Sequence, residues 1–206
     1  MDEINDYRKD LKRRIVEYAM GEFRKRGVRA VKMDEISRGL HVSKRTVYEI
    51  FGDKEELLLE GLKETSKKMR VEMQRYACNK AHNVIDIIGF FYKMQMETTG
   101  EVGVAFYEEI HKMPRVLEFL NADHAKDNEE RVRFFEMGVK EGLLRGDLDY
   151  NMVLEMMHIS MQEIMHKQLY KQYSMQEIFD NYIFVIIRGF CTERGLRLLN
   201  QAIERA

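Results

Sequence analysis

The sequence predicts an all-α protein. Apolar residues recur at a spacing of three to four along almost the whole chain, and no useful length alternates with period two. The breaks between periodic stretches read as helix caps, and a single proline serves 206 residues.

The first helix is expected over about Asp6–Arg26, with Leu11, Ile15, Ala19 and Phe23 on one stripe and cations on the other side. Gly27 follows, at the position where a helix end turns left-handed without a Cβ clash. A short second helix starts near Met33, with Asp34 and Glu35 against the positive end of its dipole. Ser43 is a good N-cap for a third helix over Lys44–Ile50. Asp53 caps a fourth, with Glu56 three residues on in capping-box register, and the apolar period carries that helix to about Cys78. Longer helices are then expected over about Val84–Thr98, Val102–Lys112, Pro114–Leu144, Tyr150–Tyr170 and Met175–Glu204, with Asp149 and Ser174 as N-caps. The stretch after Pro114 has a lapse of apolar period at "NADHAKDN", a candidate break.

No Ser/Gly-rich tract separates these elements, so any subdivision runs through continuous helix. The expected organisation is a three-helix head at residues 1–52 and a larger helical body at 53–206, connected by the helix 53–78.

A formal net charge of −1 hides an asymmetry. Residues 1–52 hold 13 Lys/Arg against 9 Asp/Glu, whereas the remainder holds 21 against 26. Within Arg24–Arg45 eight cations face only Asp34 and Glu35. Such a run is either a solvated face or the footprint of a polyanion.

Other classes find little support. Cys78 and Cys191 match no metal or disulfide spacing, and His158 and His166 stand eight apart rather than four, so no metal is expected. The charged N-terminus does not read as a signal peptide, and no apolar run approaches the roughly 20 residues of a membrane span. A cytoplasmic protein is expected. No phosphate loop, nucleophile elbow or metalloprotease motif occurs, so neither an enzyme nor a cofactor is expected.

The second and third helices, joined by "LHVS", have the dimensions of a helix-turn-helix. Lys44, Arg45 and Thr46 fill the first turn of its second helix, where cations and a hydroxyl reach base edges or phosphates. Val47, Ile50 and Phe51 form the apolar side that seats it.

The stretch "MDEISRGLHVSKRTVYEIFGDKEELL" resembles the DNA-binding signature of the TetR family of bacterial transcriptional regulators, with Ile36, Val42, Ser43, Thr46, Tyr48, Phe51, Lys54 and Leu57 matching by position. The resemblance covers about residues 8–58, with a weaker echo in "EGLLRGDLD". It implies a DNA-contacting set of Lys32, Ser43, Lys44, Arg45, Thr46, Tyr48, Glu49 and Lys54. Thr46, Tyr48 and Lys54 would bind phosphates, and Lys44, Arg45 and Glu49 would face bases, Glu49 accepting from a cytosine amine. Tyr48 has an alternative as a helix-packing aromatic, and Lys54 as a solvated side chain beside a capping box.

Three departures bear on contact geometry. Lys32 replaces a capping Thr or Ser; it can reach phosphate but cannot cap. His41 replaces the turn glycine, which is tolerable because His is found with positive φ. Leu40 replaces a small residue.

In the body, the last two expected helices carry apolar residues on more than one stripe, which a two-fold four-helix interface would explain. The resemblance implies the same homodimer. Met165, Phe179, Tyr182, Ile183 and Ile186 are the expected dimer residues. Ten of the fifteen methionines fall between Met94 and Met175. Together with neighbouring phenylalanines they are either gap-filling core or a pocket for variable apolar shapes. The pocket set is Phe91, Met94, Phe106, Phe134, Met156, Met157 and Met161, and the resemblance implies a hydrophobic small-molecule effector there. The expectation is therefore a ligand-responsive regulator, most simply a repressor, that binds a palindromic double-stranded DNA operator as a homodimer with no membrane partner. A constitutive or partner-regulated DNA-binding protein is the alternative.

Overall fold

The computed structural model describes residues 2–126 and 128–204, and among them only helices and one isolated antiparallel bridge, Leu144 to Cys191, are found. The helices are α1 (Asp2–Arg26), α2 (Met33–Gly39), α3 (Lys44–Ile50), α4 (Lys54–Asn79), α5 (Val84–Thr99), α6 (Val104–Ile110), α7 (Pro114–Lys126), α8 (Asn128–Lys140), α9 (Tyr150–His166), α10 (Met175–Ile178), α11 (Phe184–Phe190) and α12 (Glu193–Glu204). No described helix is long and apolar enough to cross a membrane. The candidate break after Pro114 falls between α7 and α8, and Asp127 lies outside the described residues.

By contacts the chain forms two compact units. The first runs through Lys68 and also takes in Val102–Phe119, so it extends past residue 52 to include the start of α4 and all of α6. Its core holds the expected α1 stripe of Leu11, Ile15, Ala19 and Phe23, together with Val28, Val31, Met33, Ile36, Val47, Phe51, Leu57 and Leu58. Gly27 takes φ +84 and ends α1, as its position requires. α6 begins against that end: the Gly103 N–H donates to the Arg24 carbonyl at 2.8 Å. A Cβ on Gly103 would meet the Lys25 carbonyl oxygen at 3.0 Å, so glycine permits the approach.

The second unit comprises Met69–Glu101 and the chain from Leu120 onward. Val84, Ile85 and Ile88 of α5 join Phe135, Leu143, Leu144, Tyr150, Phe179, Ile183, Phe184, Ile187, Phe190, Cys191 and Leu199 in one buried cluster. Phe135 stacks on Tyr150 at 5.0 Å and meets Phe190 edge-on at 5.5 Å. Asn83, Asp149 and Ser174 cap α5, α9 and α10, Ser174 with Glu177 in a full capping box.

Several expected helices prove shorter: α6 spans Val104–Ile110 rather than Val102–Lys112, and α8 ends at Lys140 rather than Leu144. α9 ends at His166 rather than Tyr170, because Gln168 turns left-handed at φ 56. The expected Met175–Glu204 helix is interrupted twice. Phe179–Ile183 adopts π-helical bonding, and the chain breaks after Phe190. The break has partners distant in sequence: Arg145 N–H donates to the Phe190 carbonyl at 2.8 Å and Thr192 N–H to the Leu143 carbonyl at 3.0 Å. Thr192 Oγ1 then accepts from Gly195 N–H at 3.1 Å, capping α12. Periodicity carries no trace of such a junction.

Gly195 is the tightest point of this junction. An added Cβ would stand 2.0 Å from the Leu143 carbonyl oxygen, and backbone cannot yield as a side-chain tip can. Gly195→Ala is expected to destabilise by about 1–3 kcal/mol, the usual cost of overpacking. A urea midpoint equal to that of the parent would show that the loop and α12 shift apart freely.

Candidate nucleic-acid interface

Helix α3 is only seven residues long, too short to stand alone, so its orientation comes from what it buries. Val47 is fully buried, Phe51 just beyond the helix nearly so, and Ile36 of α2 packs in the same core. The α2–α3 turn is closed by Val42 N–H donating to the Ser37 carbonyl at 3.0 Å. His41 sits at φ 55, so the histidine does adopt the left-handed conformation expected of it. Ser43 caps α3: its Oγ accepts from Thr46 N–H at 3.0 Å and shares a 2.7 Å hydrogen bond with the Thr46 hydroxyl. Lys32 precedes α2 in extended conformation without capping it, as expected.

With Val47 turned inward, Lys44, Arg45, Tyr48 and Glu49 are all exposed, Arg45 at 87% of its side chain. Lys44 Nζ pairs with Asp34 at 2.8 Å and lies 5.8 Å from the Tyr48 ring centre. Arg45 Nε donates to Glu49 Oε1 at 2.7 Å. These acids hold both cations above their ordinary pKa values, chiefly through the side-chain hydrogen bonds to Asp34 and Glu49. Tyr48 is thus an exposed platform beside a cation rather than core packing.

Lys54 is placed differently. Its ammonium is part-buried and donates to the Val31 carbonyl at 2.9 Å and, more weakly, to that of Arg29 at 3.4 Å. Burial lowers its pKa, and the charges of Glu109 and Glu35 partly offset this. Asp53 caps α4 through Glu56 N–H at 2.7 Å, but Glu56 reaches back to Gly52 N–H at 2.9 Å, one residue short of the expected capping box. Glu109 of α6 accepts from Arg29 N–H at 2.7 Å. The α1–α2 loop is therefore gripped from α4 by an ammonium and from α6 by a carboxylate, a partnership that sequence separation hid.

Residues 15–60 match the family model described as bacterial regulatory proteins, tetR family. Those residues of the head carry the TetR-family signature. Solved structures share the fold. A protein from Saccharomonospora viridis given as a transcriptional regulator, in complex with choline, is 18% identical, with 95% of this chain and 96% of that chain covered at a TM-score of 0.63. A TetR-family transcriptional regulator from Agrobacterium tumefaciens is 11% identical, with 90% and 100% covered at 0.68. A ketosteroid transcriptional regulator of Mycobacterium tuberculosis is 19% identical, with 88% and 95% covered at 0.56. Comparison with curated proteins gave no match.

Beyond the matched head, the expected body residues are distributed as follows. Phe91, Phe134, Met157 and Met161 are partly buried against the second unit's core, and Met94 is partly buried too. Met156 is 52% exposed, and Phe106 is buried in the first unit. Met165, Phe179 and Ile183, expected at a dimer surface, are buried in the second unit, and Tyr182 and Ile186 are partly buried against its core. The exposed apolar side chains of these helices are instead Met152 (59%), Met156, Ile159 (45%) and Val185 (57%). Met152, Met156 and Ile159 follow helical spacing; the sequence shows that stripe but not which way it faces.

Glu109→Gln weakens a charge-assisted acceptor to a neutral one. Amide exchange at Arg29 is expected to speed up about fivefold, and the Lys54 ammonium to titrate at lower pH once the charge that supports it is gone. Unchanged exchange and titration, followed by NMR, would show that α6 does not restrain the loop.

Proposed function

We propose that this TetR-family protein is a homodimeric, ligand-responsive transcriptional repressor that acts in the cytoplasm on a palindromic DNA operator. The observation that carries the reading is α3: buried Val47 fixes its rotation, and that rotation exposes Lys44, Arg45, Tyr48 and Glu49 together. In a major groove the first-turn cations meet guanine acceptors or phosphates, and the Thr46 hydroxyl and Tyr48 contact the backbone. Lys32 is exposed and has no ion pair among the described residues, so it is free for phosphate. Lys54 serves the head by holding the α1–α2 loop, with phosphate contact requiring it to leave the Val31 carbonyl.

Dimerisation is supported by the exposed stripe Met152, Met156 and Ile159 on α9 with Val185 on α11. Two recognition helices about 34–36 Å apart would then match a palindrome. The effector reading rests on the partly buried Met and Phe side chains of the second unit; that a structural neighbour is described in complex with a small molecule, choline, supports an effector but not its apolar character. An apolar small molecule releases the operator only if it binds one conformer better than the other. The unbroken α4 is the proposed carrier of that change. No catalytic role is proposed.

Selection from a random duplex pool at near-physiological salt is expected to recover a palindrome with half-sites about one helical turn apart. Recovery of no preferred sequence would refute the operator reading. Arg45→Ala is expected to weaken binding to the recovered duplex about tenfold or more; equal affinity would displace α3 from the recognition role. Met156→Glu is expected to raise the dimer dissociation constant more than about tenfold, read by sedimentation, because a carboxylate in an apolar interface core is desolvated without a partner. An unchanged constant would place the dimer contact elsewhere.

A further inference from the structure

Arg45 and Glu49 lie one turn apart on α3, so they enter a groove together or not at all. Lys44 differs, since its acid, Asp34, belongs to α2. The Arg45–Glu49 pair uses Arg45 Nε and Glu49 Oε1, 2.7 Å apart. That choice of atoms leaves both terminal guanidinium nitrogens and Glu49 Oε2 without a partner among the described residues. The two terminal nitrogens are one face of a rigid fork that matches paired acceptors. Oε2 is an acceptor held beside that fork.

A G·C base pair presents the complementary pattern in the major groove. Guanine shows two neighbouring acceptors, N7 and O6, and the cytosine N4 amine follows as a donor next to O6. A bidentate fork on guanine with a carboxylate beside it on the cytosine amine completes that edge. No separation of the ion pair is needed. An A·T pair keeps the N7 acceptor but places the adenine amine against the fork's second donor and the thymine O4 acceptor against the carboxylate, so one fork contact and the carboxylate contact are both lost to repulsion. A lone arginine discriminates through one base; the pair penalises a mismatch twice.

We infer that Arg45 and Glu49 act as a single reading unit for one G·C base pair of each half-site, guanine toward Arg45 and cytosine toward Glu49. Glu49 is then a specificity-determining residue, because its carboxylate is left unpaired in the groove wherever the cytosine amine is missing. The inference rests on the proposed role of α3 in DNA recognition. Both side chains are exposed, at 87% and 55%, so their removal leaves the fold intact.

The test is random-pool selection with the full chain and with Arg45→Ala, Glu49→Ala and Lys44→Met, followed by affinity measurements on the wild-type duplex and on the same duplex with the G·C replaced by A·T. The parent should require one G·C pair and lose about tenfold or more in affinity on its replacement. Arg45→Ala and Glu49→Ala should both relax that same position, with the G·C to A·T penalty falling to a few-fold in either, while Lys44→Met keeps it. Relaxation at different base pairs, or a Glu49→Ala motif identical to the parent's, overturns the paired reading and leaves DNA recognition standing. Recovery of no motif by the parent overturns the recognition reading itself, and this inference with it.

Discussion

The head depends on one constraint: Val47 and Phe51 must be out of water. Each such burial is worth about 1.5–3 kcal/mol, whereas exposed ion pairs contribute far less. Apolar burial therefore decides how α3 is rotated, and the charged side chains take whatever face remains. Ser43 settles where the helix begins and His41 the angle at which the chain enters it, so a seven-residue helix acquires one orientation without intrinsic stability of its own.

Local signals in the head were readable from the sequence. Gly27, His41, Ser43 and Asp53 each act through hydrogen bonds or backbone angles within three or four residues, and each took the expected role. The eight-residue TetR signature was readable because its order and spacing lie within one short stretch, where buried Ile36, Phe51 and Leu57 alternate with capping and exposed positions. Lys54 was not fully readable, because the carbonyls that occupy its ammonium lie more than twenty residues earlier. Glu109 was missed altogether; it reaches Arg29 across 80 positions, and nothing in its own helix marks it.

The body shows the limit of periodicity. The apolar surplus on its last helices was evident, but a stripe has no sign: the sequence does not say whether Met165 or Met156 faces inward. Folding resolved it by burying Met165, Phe179 and Ile183 and leaving Met152, Met156, Ile159 and Val185 in water. The junction at Cys191 was hidden differently. Its hydrogen-bond partners, Leu143 and Arg145, lie nearly fifty residues away, and the helical pattern simply continues across it.

The π-bonded segment Phe179–Ile183 sets the phase of the helix that follows it. A π turn accommodates one residue more than the surrounding α-helix would, and each residue rotates an α-helix by about 100°. Phe184, Ile187 and Phe190 thus meet the core at a phase that depends on that extra residue. Losing one residue here would restore regular bonding yet swing Phe190 away from Phe135 and Tyr150, and Phe184 away from Tyr92. At this point the length of the chain, rather than the identity of any one residue, sets which side chains reach the core.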